Sequence, residues 1–212
     1  MSENGFAAFV LRARAKGVNE PRVLRAIEES QRAVYADTAD RARVFLDHVL
    51  PIGCGQAMER LDDAAVLLDA LGIEPHHRVL ELGTGSGFLT EVISRLARNV
   101  VTVDRYRGLL VGARERHAKR GRENIKYLQR DIGALPDLEG PFDRIYSSVA
   151  FGKPPRSFIE HLVAEGILVA PIGDEDGPQR LTRLAKVGAR FDRTELGEGW
   201  FPSVRKGVAL AL

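Results

Sequence analysis

The chain has 212 residues, of which 44% are hydrophobic and 28% charged. That composition belongs to an ordinary folded protein and argues against disorder or a coiled coil; the length fits one domain, or one domain with a small appendage. Lys and Arg number 31 against 29 Asp and Glu, a net charge of +2, so no overall field demands nucleic acid or a membrane.

The single cysteine excludes an intramolecular disulfide and a Cys-rich metal site. No run approaches the roughly 18 apolar residues of a membrane span. The opening MSENGFAAFVLRARAKG has no basic stretch before its short apolar run and does not read as a secretory signal. A cytoplasmic, monomeric protein is expected.

In chain order, the first 46 residues read as helices. Phe6, Phe9, Val10 and Ala13 recur at helical spacing, as do Val23, Leu24 and Ile27, with Gly17 between the groups and Pro21 suited to a first turn. Residues 47–60 hold Pro51, Gly53 and Gly55 within five positions and read as a loop with unusual backbone needs. A helix is expected over 61–71. Strands follow at 78–82, 100–103, 125–129, 143–149 and 166–170, with helices at 86–97, 107–120 and 155–164. This alternation predicts a doubly wound, mostly parallel α/β sheet with helices on both faces. Three further strands, near 180–187, 190–196 and 206–212, have no helix between them and should pair antiparallel at one edge. The expected division is one domain over 1–212: a helical cover to 75, a core over 76–178 and terminal strands from 179.

The strongest local signal lies between the first core strand and its helix: Glu81-Leu82-Gly83-Thr84-Gly85-Ser86-Gly87. Such a loop gives a tight turn and lets a ligand approach the backbone at a helix N-terminus. The dinucleotide pattern fails, because Phe88 stands where its third glycine belongs, and no Lys follows as a phosphate loop requires. A glycine loop without phosphate chemistry, preceded by an acid, suits a cofactor with an amino-acid moiety and a cation, such as S-adenosylmethionine. Downstream, Asp104 ends the second strand, where a carboxylate can take the ribose hydroxyls, with Arg105 beside it. Asp131 follows the third strand, where an acid can accept from the adenine amino group, with Ile132 next. Helix capping is the plainer role for each acid taken alone.

Two further segments, with this loop, resemble the protein-L-isoaspartate O-methyltransferases, a family of class I methyltransferases. Leu50-Pro51-Ile52-Gly53-Cys54-Gly55-Gln56 is similar to that family's L-P-I-G-x-G-Q substrate loop, and Trp200-Phe201-Pro202 through Gly207 to its R-F-V-P-L-x-x-G segment. The resemblance covers nearly the whole chain. It implies methyl transfer from S-adenosylmethionine to the carboxylate of isoaspartyl residues in damaged proteins. It also implies a substrate site made by Pro51, Ile52, Gln56, Ala57, Met58, Ala150 and Phe201. The departures concentrate in the substrate half. Where the family continues T-I-S-Q-P, this chain reads Ala57-Met58-Glu59-Arg60-Leu61.

Glu59 thus replaces the serine given a catalytic or aligning role. Ionised, it would repel an acceptor carboxylate unless it faces solvent, is protonated or is compensated by Arg60. It also suits the first turn of the helix that follows. The alternatives to isoaspartate are another acceptor, such as RNA or a small molecule, and a non-catalytic S-adenosylmethionine-binding module. Residues 104–131 carry nine basic residues against four acids. That is the best sequence argument for RNA, though it usually marks a solvated helix face. The five histidines show no metal-ligand spacing, and solvent exposure is expected for His76 and His77.

Overall fold

The computed structural model describes residues 3–133 and 138–209. The N-terminal cover comprises α1 (Glu3–Ala15) and α2 (Pro21–Glu29), followed by 3-10 turns at Arg32–Val34 and Thr38–Arg43. Pro21 starts α2 as expected, Glu20 caps it by accepting from Arg22 N at 3.0 Å, and Val23, Leu24, Ala26 and Ile27 are buried.

The irregular stretch after it is a small hairpin, β1 (Leu50–Ile52) with β2 (Gln56–Met58). Cys54 and Gly55, at its tip, have φ of 61° and 64°, and Gln56 N donates to Gly53 O at 3.3 Å. Two positive φ angles in the centre of a two-strand turn match the right-handed twist of the strands. The next helix, α3 (Leu61–Leu71), ends at Gly72 in the left-handed conformation.

The core alternates β3 (Arg78–Leu82), α4 (Phe88–Leu96), β4 (Asn99–Asp104), α5 (Arg107–Lys119), β5 (Ile125–Gln129), β6 (Phe142–Ser147) and β7 (Leu162–Ile172). Two antiparallel strands, β8 (Gln179–Val187) and β9 (Arg190–Gly199), complete it. The seven-stranded sheet runs β5-β4-β3-β6-β7-β8-β9, with the first five strands parallel. The connection reverses direction at β3, so a crevice opens beyond the carboxyl ends of β3, β4 and β6, the usual ligand position in such sheets.

Side chains alternate between two apolar layers. Val79, Val100, Tyr146, Ile167 and Val169 face α1 to α4, whereas Leu80, Leu82, Val101, Val103, Ile145 and Leu168 face the other side. That second layer is closed by Phe151, Phe158 and Leu162, not by the helix expected over 155–164. Only a 3-10 turn, Arg156–Ile159, forms there, and β7 already begins at Leu162. Phe158 and Leu162 stand four residues apart, which mimics a helical stripe, yet a turn and a strand start bring both to one cluster. The strand expected over 206–212 is not formed at 206–209, where Ala209 makes a single bridge to Tyr106; residues 210–212 lie outside the described residues. His77 is buried, contrary to expectation, and its Nδ1 accepts from Glu74 N at 2.8 Å, which satisfies that ring nitrogen away from water. Among the described residues no helix is long and apolar enough to cross a membrane.

Candidate functional site

A cavity of about 430 Å³ opens at the crevice. One wall is the glycine loop, from Gly83 to Ser86, with Asp104, Arg105 and Ile132. The facing wall is the hairpin, with Ile52 and Gln56 to Glu59, and Phe201 closes one end. Most of the residues expected from sequence therefore meet around one space.

The loop is shaped from below. Glu81 is fully buried, and its Oε2 accepts from Thr90 Oγ1 at 2.5 Å and Thr102 Oγ1 at 2.6 Å; Thr102 in turn lies 2.6 Å from Thr84 Oγ1. Burial pushes the Glu81 carboxyl up to about 8, against those hydrogen bonds and with repulsion from Glu59 and Asp104 adding. Gly83 has φ of 93°, and a Cβ there would overlap Ser148 Oγ, which donates to Gly83 O at 2.8 Å. Gly87, the N-cap of α4, lies against Ala113 and His117, where a Cβ would come within 2.8 Å and 2.9 Å. Its role is to let α4 and α5 approach, as the third glycine of such loops does.

Asp104 accepts from Gly85 N at 3.0 Å and Tyr106 N at 2.9 Å, which leaves each oxygen a lone pair for a ligand. Burial raises its carboxyl pKa and these backbone N–H groups oppose the rise.

Five expected residues do not line the cavity, Gly87 at the head of α4 among them. Glu81 lies beneath the loop, and Pro51 is exposed on the hairpin. Ala150 is buried behind Phe201; its N donates to Pro202 O at 2.8 Å and its O accepts from Val204 N at 2.9 Å, which zips the 202–204 segment into place. Asp131 accepts from Gly133 N at 2.8 Å and from Gly207 N at 2.6 Å, and so tethers the C-terminal segment.

The cavity also has walls that sequence reasoning did not single out: Phe88 and Leu89 of α4, Tyr106 and Leu109 at the start of α5, Ser148 and Val149 after β6, and Glu175 between β7 and β8. Only Tyr106, two residues past Asp104, had a positional signal. It receives a hydrogen bond from Gln56 Nε2 at 3.3 Å, which fastens the hairpin over the site.

Arg32 was equally unforeseen. Fully buried, it donates to Val44 O at 2.8 Å and to Glu59 O at 2.7 Å, and so pins the hairpin's exit.

The basic stretch 104–131 is engaged in part: Arg120 Nε meets Glu91 at 2.6 Å, Arg116 donates to Ser86 O at 3.1 Å, and Lys126 meets Glu139 at 2.7 Å. Among the described residues no group of three metal-ligating side chains occurs.

The strand order and a glycine loop at the sheet's reversal point define a class I methyltransferase, and the residues suit S-adenosylmethionine. The loop leaves bare backbone facing the cavity at Gly85, Asp104 supplies free carboxylate lone pairs, and Arg105 Nε is buried without a partner. The family model described as protein-L-isoaspartate(D-aspartate) O-methyltransferase matches residues 6–206. The chain is 39% identical over 204 residues to a protein-L-isoaspartate O-methyltransferase of Bradyrhizobium sp. strain BTAi1, covering 96% of this chain and 95% of that one. A Rhizobium meliloti protein of the same name is 39% identical over 186 residues, 88% of this chain and 91% of that one. A Plasmodium falciparum chain described as such an enzyme, solved with S-adenosyl-L-homocysteine, superposes with a TM-score of 0.79 at 20% identity, covering 94% and 98% of the two chains. This protein belongs to the protein-L-isoaspartate O-methyltransferase family.

Proposed function

We propose that this protein transfers the methyl group of S-adenosylmethionine to the free α-carboxylate of L-isoaspartyl residues in damaged proteins. The carrying observation is that the glycine loop and the substrate hairpin face each other across one cavity.

When bound, S-adenosylmethionine supplies a methyl group made electrophilic by its sulfonium. Gly83, Thr84, Gly85 and Ser86 would hold its amino-acid portion against the backbone. Asp104 would take the ribose hydroxyls, and Arg105 and Ile132 would border the base. Asp131 does not line the cavity and would shape that border from beside Ile132. Glu81 keeps the loop's shape through Thr102 and Thr84, and Gly87 sets the helix behind it.

The acceptor carboxylate, with a reference pKa near 4, is already ionised at neutral pH. The chain therefore has no proton to remove; its task is to align oxygen, carbon and sulfur and to exclude water. Ile52, Met58, Phe88, Leu89 and Phe201 provide an apolar enclosure, while Gln56 and Ala57 present the hairpin backbone to the substrate. Pro51 and Ala150 support these walls from behind. Esterification removes the negative charge and creates a leaving group. The adjoining backbone nitrogen can then close a succinimide ring with loss of methanol, a route back towards aspartate. A cytoplasmic setting accords with the free Cys54.

The test is transfer of labelled methyl from S-adenosylmethionine to an isoaspartyl peptide and to its aspartyl twin. Base-labile label on the isoaspartyl peptide alone is expected. Label on RNA would favour the rival acceptor, and tight S-adenosylhomocysteine binding without any transfer would favour a binding module.

A further inference from the structure

Behind the hairpin wall stand five polar residues from separate parts of the fold: Arg32, Glu59, Asp63 of α3, Glu81 of β3 and Tyr146 of β6. Arg32 bonds the Glu59 carbonyl, Asp63 lies in the first turn of the helix that follows, and Glu81 and Tyr146 are paired across β3 and β6. Arg32, Asp63, Glu81 and Tyr146 are at most 1% exposed. Each carries a buried atom without a hydrogen-bond partner: Arg32 Nε, Asp63 Oδ2, Glu81 Oε1 and Tyr146 OH. Such atoms are rare in folded proteins and call for an explanation. Glu59 is the one member of the five that also lines the cavity.

Among the described ion pairs none reaches the Glu59 carboxyl. Arg32 spends its two Nη atoms on the carbonyls of Val44 and Glu59. Arg60 does not compensate Glu59, for it pairs with Asp47 and lies 3.7 Å from Asp63. Lys16 pairs with Asp63 at 2.9 Å, and Arg12 with Asp62 at 2.9 Å. With Asp63 paired to Lys16, the carboxyls of Glu59 and Glu81 and the Tyr146 phenol are left with one guanidinium, which holds carbonyls. A region so arranged cannot keep every acid ionised.

We propose that Glu59 is a catalytic residue that acts as a neutral carboxyl, donating a hydrogen bond from the cavity wall to one oxygen of the acceptor carboxylate. The other oxygen is left free to attack the methyl carbon. The proton stays on Glu59 throughout, so the group orients the acceptor without adding a second negative charge beside it. Burial raises the Glu59 pKa, with Asp63 adding and its own backbone N–H and Arg32 opposing. Burial likewise holds the Tyr146 phenol neutral, with Glu59, Glu81 and Asp63 adding. Arg32 is a positioning residue here, since it fixes the Glu59 backbone.

This inference rests on the isoaspartyl reading, and two measurements separate the two. Infrared difference spectra of wild type against Glu59→Gln report protonation directly and need no substrate. A protonated-carboxyl C=O band lost in Glu59→Gln at pH 7 is expected; a carboxylate band instead overturns the inference. The second measurement is kcat/KM on an isoaspartyl peptide as a function of pH. Wild type should lose about tenfold per pH unit above the Glu59 pKa. Glu59→Gln, a neutral donor of the same shape, should stay within a few-fold at pH 7 and lack that alkaline limb. Glu59→Ala should lose tenfold or more at every pH. Glu59→Ala matching wild type, or Glu59→Gln keeping the limb, refutes the role. If the C=O band is present but no isoaspartyl peptide is methylated, the functional reading falls, and with it the acceptor assigned to Glu59. If transfer is intact but the band is absent, the inference falls alone.

Discussion

Replacing Gly83 with Ala should damage both stability and cofactor binding, and the structure sets the scale. A φ of 93° is a conformation that L side chains rarely adopt, and the new Cβ would overlap Ser148 Oγ. Strain of that kind costs of order 1–3 kcal/mol. Displacing Ser148 also sacrifices the hydrogen bond that its single hydroxyl proton donates to Gly83 O, with Leu82 O as the alternative acceptor, at about 1 kcal/mol. The sum, about 2–4 kcal/mol, should lower Tm by roughly 5–15 °C in a chain of this size. Calorimetry with S-adenosylhomocysteine should show weakened or lost binding, because Gly83 and Ser148 both line the cavity.

The neighbouring glycines serve as controls. Gly85 has φ of 52°, close to the left-handed helical region, and only Ile52 Cδ1, at 3.6 Å, lies near its would-be Cβ. Gly85→Ala should therefore cost about 1 kcal/mol of stability, and Gly85→Val should abolish binding by filling the cavity. Gly87→Ala should lose stability through Ala113 and His117 with a smaller direct effect on binding. A Gly83→Ala variant with wild-type Tm and affinity, or the same response at all three glycines, would refute this account of the loop.

The Glu81 carboxyl keeps its proton in the fold up to about 8, while the unfolded chain loses it near 4.5. Stability from this group is thus full below about 4.5 and is lost as pH rises through 8. The loss should reach about 5 kcal/mol, at about 1.4 kcal/mol per pH unit. Urea unfolding of the cofactor-free protein from pH 5 to 8 should show this slope, and Glu81→Gln should flatten it; an unchanged slope would count against the assignment. Glu91, whose side chain is fully buried, is bonded by Tyr35, Arg95 and Arg120, which ties the N-terminal cover to α4 and α5. Glu91→Ala should cost about 3–5 kcal/mol in the urea midpoint by stranding those partners. A change below 1 kcal/mol would show the network to be dispensable.

The fold was legible wherever one period dominated. The core strands, α3 and the terminal hairpin β8–β9 fall within a few residues of their expected bounds, because apolar alternation and glycine punctuation agree there. It was misread at 155–164, where Phe158 and Leu162 imitate a helical stripe across a turn and a strand start. The site was legible through its glycine loop, Asp104 and the hairpin residues, whose spacing along one chain segment reflects one local structure. Ser148 and Glu175 were not, since only the sheet's closure brings them to the cavity. Arg32 was hidden for a different reason: a charged side chain in a polar segment reads as solvated, and nothing local foretells two buried carbonyls as its partners. The converse holds for Asp131, whose position at a strand end suited a ligand but which lies outside the cavity lining and bonds Gly207 N of the C-terminal segment.

The central claim is that a chain with Glu59 in its substrate hairpin still esterifies an isoaspartyl carboxylate. Tandem mass spectrometry of a peptide containing both an isoaspartyl and an aspartyl residue, after incubation with enzyme and S-adenosylmethionine, addresses it directly. The account predicts one added methylene, confined to fragments holding the isoaspartyl residue and lost on mild base treatment. A base-stable methyl, or one on the aspartyl side chain, would contradict it.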